Sequence, residues 1–174
     1  MPSWLPELVN VSPWTQSTYD MLYEIFCRDI RDHNLRYIGN QVLILRDIEY
    51  GKEAIFWHLT TRIVKVKKIP RRKRKFYPED QEIVAEERLP DLRRCERLSW
   101  IKPLIEHPCD PEIFAWDYQE GDLTIKTYIW FKDEEFAVIM KKYPNGRQRL
   151  ITSFYIDKPY KREDFRRKYE NRIQ

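Results

Sequence analysis

An α+β domain is the fold class this chain predicts, and three observations point to it. Apolar residues recur at helical spacing near the start, at Leu22, Ile25, Phe26 and Ile30. Three β-prone runs follow in the C-terminal half, with an Asn-Gly hairpin signal at Asn145-Gly146 between two of them. A charged helical stretch, Arg162 to Asn171, closes the chain. At 174 residues the chain suits a single domain, 1–174, with a proper core, and 42% hydrophobic residues argue against disorder.

In order, Asn10 or Ser12 is the expected cap of the first helix, with Pro13 in its first turn and the helix running to about Arg31. A turn is expected over Asp32 to Asn40, then a short strand from Val42 to Leu45. Glu49-Tyr50-Gly51-Lys52 reads as a turn, and Ala54 to Thr60 as a buried strand or the entry to a loop. A basic loop or arm follows at about 65–78, with Pro70 and Pro78 flanking its densest part. Acidic Asp80 to Glu87 comes next and can neutralise it. Asp91 to Leu98 is short and charged, and Pro103 is expected to limit any helix there. Thr124 to Phe131, Phe136 to Tyr143 and Leu150 to Asp157 form a three-strand antiparallel meander. Pro159 ends it ahead of the closing helix.

Composition excludes several classes. Four isolated glycines leave no phosphate-cradling loop. No apolar run reaches membrane-spanning length, and no signal-peptide pattern opens the chain. Three cysteines, Cys27, Cys95 and Cys109, are an odd, sparse set that suits reduced thiols in a cytoplasm. Cys95, His107 and Cys109 lack the paired spacing of a structural zinc site, so no metal and no cofactor is expected. With 32 basic against 28 acidic residues the net charge is only +4, so attraction for a polyanion depends on where the charge sits.

That charge is concentrated in KVKKIPRRKRK, where Lys65, Lys67, Lys68, Arg71, Arg72, Lys73, Arg74 and Lys75 stand without an acid among them. Such a segment neutralises phosphates without reading sequence, which makes RNA a candidate partner. His58 lies just before it in FWHLTT. It reads either as a general acid or base, with Thr60, Thr61 or Arg62 on phosphate, or as a core-edge histidine bonded to backbone. Arg94 and Arg97, three apart, suit one helical face that grips a phosphate, or an ion-pair cluster with Asp91 and Glu96. Lys126, Tyr128 and Trp130 share one strand face, as do Thr152 and Phe154 on another strand, with Ser153 and Tyr155 on its reverse. They line a site where bases stack, or they belong to an ordinary half-buried sheet.

Three segments together carry a resemblance: GKEAIFWHLTTR (Gly51 to Arg62), LPDLRRCERLSWIKPLIE (Leu89 to Glu106) and RLITSFYIDKPYKREDFRRKYE (Arg149 to Glu170). In this order they resemble a family of small proteins from phages and mobile elements. That family is similar to the barnase–EndoU–colicin–RelE group of metal-independent ribonucleases. The resemblance implies an N-terminal helix packed on a curved antiparallel sheet, with substrate across the sheet face. It implies a site of His58, Arg94, Arg97, Lys126, Thr152 and Tyr155. The basic insert at Lys65 to Lys75 departs from that pattern. So does Tyr160, where the family often has a histidine, which leaves a mechanism with one histidine or one with His58 plus Lys or Tyr.

The implied chemistry is endoribonucleolytic cleavage of tRNA or mRNA by a toxin or phage-conflict protein. Attack of the ribose 2′-OH on phosphorus would leave a 2′,3′-cyclic phosphate and a 5′-OH. The alternatives are a non-catalytic nucleic-acid-binding protein and an interaction protein that docks on an antitoxin or host factor.

Overall fold

The computed structural model describes residues 1–68 and 83–173. Helix α1, Gln16–Phe26, starts at Thr15 rather than at Asn10 or Ser12. Thr15 and Thr18 form a reciprocal capping box that satisfies two backbone amides, and the Thr18 hydroxyl donates to the Pro13 carbonyl at 2.8 Å. A π-helical turn over Cys27–Arg31 prolongs α1. Leu22, Phe26 and Ile30 lie on its buried face, as the spacing predicts.

Strands β1 (Arg36–Tyr37) and β2 (Asn40–Leu43) form a hairpin; β1 lies within the expected turn, and β2 overlaps the strand expected from Val42 to Leu45. A second hairpin joins β3 (Ile48–Glu49) to β4 (Lys52–Glu53). Its two central residues, Tyr50 and Gly51, both have positive φ, the geometry that matches the twist of paired strands. Ala54–Thr60 is helix α2, not a strand. Its Ile, Phe and Trp favour a strand locally, but Ile55, Phe56 and Leu59 are buried at helical spacing, and Phe56 packs edge-on against Tyr23.

Strand β5 (Thr61–Lys68) pairs antiparallel with β6 (Ile83–Pro90). The expected basic loop therefore begins as a ribbon. Lys65, exposed, stands opposite Glu86, and Lys67 and Lys68 stand opposite Val84 and Ile83. Arg71, Arg72, Lys73, Arg74 and Lys75 lie outside the described residues. Helix α3 (Leu92–Glu96) leads through a 3₁₀ turn, Leu98–Trp100, into α4 (Ile101–Glu106). Pro103 does not stop α4, because it sits in the first turn, where its missing N–H has no partner to lose.

The meander has four strands rather than three: β7 (Ile113–Gln119), β8 (Ile125–Phe131), β9 (Phe136–Lys142) and β10 (Gln148–Tyr155). β7 pairs with β8 along its whole length. Between β9 and β10, Gly146 takes a φ of 80°, the left-handed residue that closes a three-residue hairpin loop. Pro159 opens the closing helix α5 (Pro159–Glu170) as its first residue, where its fixed φ is already helical.

The curled sheet runs β1-β2-β10-β9-β8-β7, with β2 parallel to β10 and the other pairings antiparallel. One face carries Ile129, Phe131, Phe136, Val138 and Met140 against α1 and α4. The other carries Trp116, Tyr128, Trp130 and Ile139, covered by Phe165 of α5. That cover decides between the two readings of Tyr128 and Trp130: each is only 2% exposed, so they belong to a packed sheet and not to an open stacking face. β2 pairs with β10 only at Gln148 and Arg149. The rest of the outer edge of β10 is left to α2 and α3, and the candidate site forms there.

Candidate functional site

A cleft of about 830 Å³ opens where α2, the base of the β5–β6 ribbon and the edge of β10 meet. Its lining brings together His58, Thr61, Arg62, Arg88, Arg94, Arg149 and Thr152, with Asp47 and Glu49 also among its walls. Local structure explains the meeting. Burial of Ile55, Phe56 and Leu59 turns His58 to the outer side of α2. The Trp57 indole donates to the Glu49 carbonyl at 2.7 Å and ties α2 to the β3–β4 hairpin. Asp91 caps α3 by accepting from the Arg94 amide, which sets Arg94 one turn into the helix.

Arg94 binds the site to itself. One guanidinium nitrogen donates to the His58 carbonyl at 2.8 Å, and its Nε stands 3.4 Å from Asp91. The Thr152 hydroxyl reaches the same carbonyl at 3.5 Å. Arg88 donates to Thr61 Oγ1 at 3.2 Å and faces Glu49 at 3.8 Å. The Nε atoms of Arg94 and Arg149 are buried without a hydrogen-bond partner among the described residues. Among the described residues, four guanidiniums therefore line the cleft against two carboxylates, a field suited to an anion.

Burial pushes the His58 imidazole below its ordinary value of 6.5, and the Arg88 and Arg94 charges push it further, against the opposing pull of Glu49. His58 is thus neutral at neutral pH and able to accept a proton. Burial likewise lowers Arg94, although a guanidinium stays charged at any ordinary pH. The Cys95 thiol is pushed up to about 12 by burial and lies 3.2 Å from the Thr60 carbonyl, so it is an inert core group.

Of the six residues expected in the site, His58, Arg94 and Thr152 converge in this cleft. Tyr155 lies in an adjoining groove that shares Arg62 and Arg94 with the cleft. Arg97 and Lys126 line neither depression, which corrects their placement. Arg97 caps the end of α3 with non-helical backbone, so it diverges from Arg94. It is 9% exposed, stacked near Trp100 and Tyr155, and 3.8 Å from Glu134. Lys126 sits on β8, two strands from β10, paired with Glu120 at 3.5 Å.

Arg88, Arg149 and Glu49 belong to the cleft and carried no signal in the sequence. Strand pairing places them: Arg88 opposite Ile63 in the ribbon, Arg149 opposite Lys141 on the sheet, and Glu49 at its tight turn. Cys95, His107 and Cys109 do not meet. Cys95 is buried, His107 stacks on Trp4, and Cys109 is exposed. Among the described residues there is no group of three or more His, Cys, Asp or Glu side chains placed to hold a metal ion. No described helix is long and apolar enough to cross a membrane. Comparison with protein-family models, with curated proteins and with solved structures finds no match to this chain.

Proposed function

We propose that this protein is a metal-independent endoribonuclease of toxin or phage-conflict type, acting on tRNA or mRNA at the His58 cleft. One observation carries the reading: the His58 imidazole, its pKa pushed down, opens into the same cleft as the guanidiniums of Arg62, Arg88, Arg94 and Arg149. A neutral imidazole can take the proton of a ribose 2′-OH. The freed oxygen attacks the adjacent phosphorus and forms the cyclic ester. Arg94 and Arg149, whose guanidiniums line the cleft, stabilise the charge that builds on the phosphoryl oxygens. The leaving 5′-oxygen takes its proton from water that the open cleft admits.

A second reading, non-catalytic binding of nucleic acid, is favoured by a different observation. Apart from His58 and the arginines, the titratable lining is Asp47 and Glu49, so no second histidine, lysine or tyrosine from the described residues stands ready as an acid. An RNA cleavage assay in EDTA separates the two. Cleavage that leaves cyclic phosphate ends, and is lost in His58→Ala and Arg94→Ala, supports the enzyme. Salt-sensitive binding that both variants retain, with no cleavage by the wild type, supports the binding module.

A further inference from the structure

The cleft does not end at Arg94. A groove of about 590 Å³ continues from it between α3 and the end of β10, and shares Arg62 and Arg94 with it. A third depression of about 800 Å³, between α5 and the sheet, shares Arg94, Phe154 and Lys161 with that groove. Arg94 lines all three, so the three depressions adjoin, with Arg94 at their junction.

The middle groove is built differently from the cleft. Its walls include two aromatic rings, Phe154 and Tyr155, both half-buried. The exposed Arg93 guanidinium lies 4.3 Å from the centre of the Tyr155 ring, and the buried Arg97 lies 5.2 Å from the same ring. A guanidinium plane and an aromatic ring both accept nucleobases by stacking. Four cations line the groove: Arg62, Arg93, Arg94 and Lys161. Its two carboxylates already have partners, Asp91 in Arg94 at 3.4 Å and Asp157 in Lys161 at 2.8 Å.

From this we infer that the groove of Arg93, Phe154 and Tyr155 holds an unpaired base next to the scissile phosphate, and that the substrate class is single-stranded RNA. The inference rests on the ribonuclease reading of the His58 cleft and names its substrate. The Arg93–Tyr155 stack takes one base face-on, while Arg62 and Lys161 hold the flanking phosphates. A duplex hides its base faces within its own stack, so it meets only the cations.

The test is fluorescence anisotropy with a labelled 2′-O-methyl oligoribonucleotide, which lacks the nucleophile and cannot be cleaved. It is measured single-stranded and annealed to its complement, on the whole protein. The single strand should bind about 10-fold tighter than the duplex, the worth of one base stack. Arg93→Lys and Tyr155→Leu should each remove about that factor for the single strand and leave duplex binding unchanged, whereas Arg93→Gln, which also loses the charge, should weaken both. Arg93 is exposed, so its variants report even if Tyr155→Leu fails to fold. Equal affinity for duplex and single strand would overturn the inference, as would full single-strand binding by Arg93→Lys, which keeps the charge and loses the plane. The two readings therefore fail separately: stack-dependent binding without cleavage overturns the enzyme alone, whereas His58-dependent cleavage indifferent to strandedness overturns the groove alone.

Discussion

Arg94 should be the residue whose loss costs most, because it ties the cleft together and, on the proposed function, also meets the phosphate. Its hydrogen bond to the His58 carbonyl is charge-assisted, which is worth about 1.5–3 kcal/mol. Its ion pair with Asp91 is partly solvated and adds at most about 1 kcal/mol. Burial of the guanidinium works against both, as its lowered pKa indicates, so a net of about 2 kcal/mol is expected. At about 2–4 °C per kcal/mol for a chain of this size, Arg94→Ala should lower Tm by roughly 4–8 °C. On the proposed function the same substitution removes a positive charge that stabilises the developing phosphorane and should cost about 10²–10³ in cleavage rate. Arg94→Lys keeps the charge, but its single ammonium cannot serve the carbonyl and a phosphate together. It should recover most of the stability and much less of the rate. Thermal unfolding followed by circular dichroism reads the first effect, and single-turnover cleavage in EDTA at a temperature where both variants are folded reads the second. A folded Arg94→Ala that cleaves at the wild-type rate would refute the catalytic half of the argument. An unchanged Tm would refute the structural half.

Three further outcomes follow. His58 has a folded pKa depressed below 6.5, so the unfolded chain takes up a proton that the folded chain resists. Its contribution to stability is complete above pH 6.5 and is lost as pH falls from there through the folded value. Cleavage should fall on an acid limb below pH 6.5 that moves up in Arg88→Gln and down in Glu49→Gln, and a pH–rate profile with its limb above 6.5 would contradict this. Arg97→Ala breaks contacts to Trp100 and Tyr155 worth about 0.5–2 kcal/mol each and should lower Tm by several degrees, with the cleavage rate per folded molecule retained. Lys126→Ala removes only a partly exposed ion pair with Glu120. It should change stability by no more than about 1 kcal/mol in denaturant titrations and leave cleavage kinetics at wild-type values.

Local physics made some of this molecule legible from its residues. Leu22, Phe26 and Ile30 at helical spacing allow one buried face for α1. Alternation through Ile129, Phe131, Val138 and Met140, with Asn145-Gly146 between the last two strands, demands a meander. His58 and Arg94 stood out as chemistry-bearing residues in short motifs. Helix or strand over Ala54–Thr60 was another matter. Both states bury its apolar residues, and only Tyr19, Tyr23 and Phe26 of α1, packed on Phe56, select the helix.

The site itself needed contacts distant in the chain. Arg88, Arg149 and Glu49 reach His58 because three separate pairings, in the ribbon, the sheet and a tight turn, end at one edge. Arg94 and Arg97 are three residues apart, yet they part ways because α3 ends between them. Tyr128 and Trp130 alternate as a binding face would, but α5 covers them. Residue type and spacing limit what each segment can become. Which side chains share a cleft, and which are covered, depends on how the segments pack, and that is a property of the whole chain.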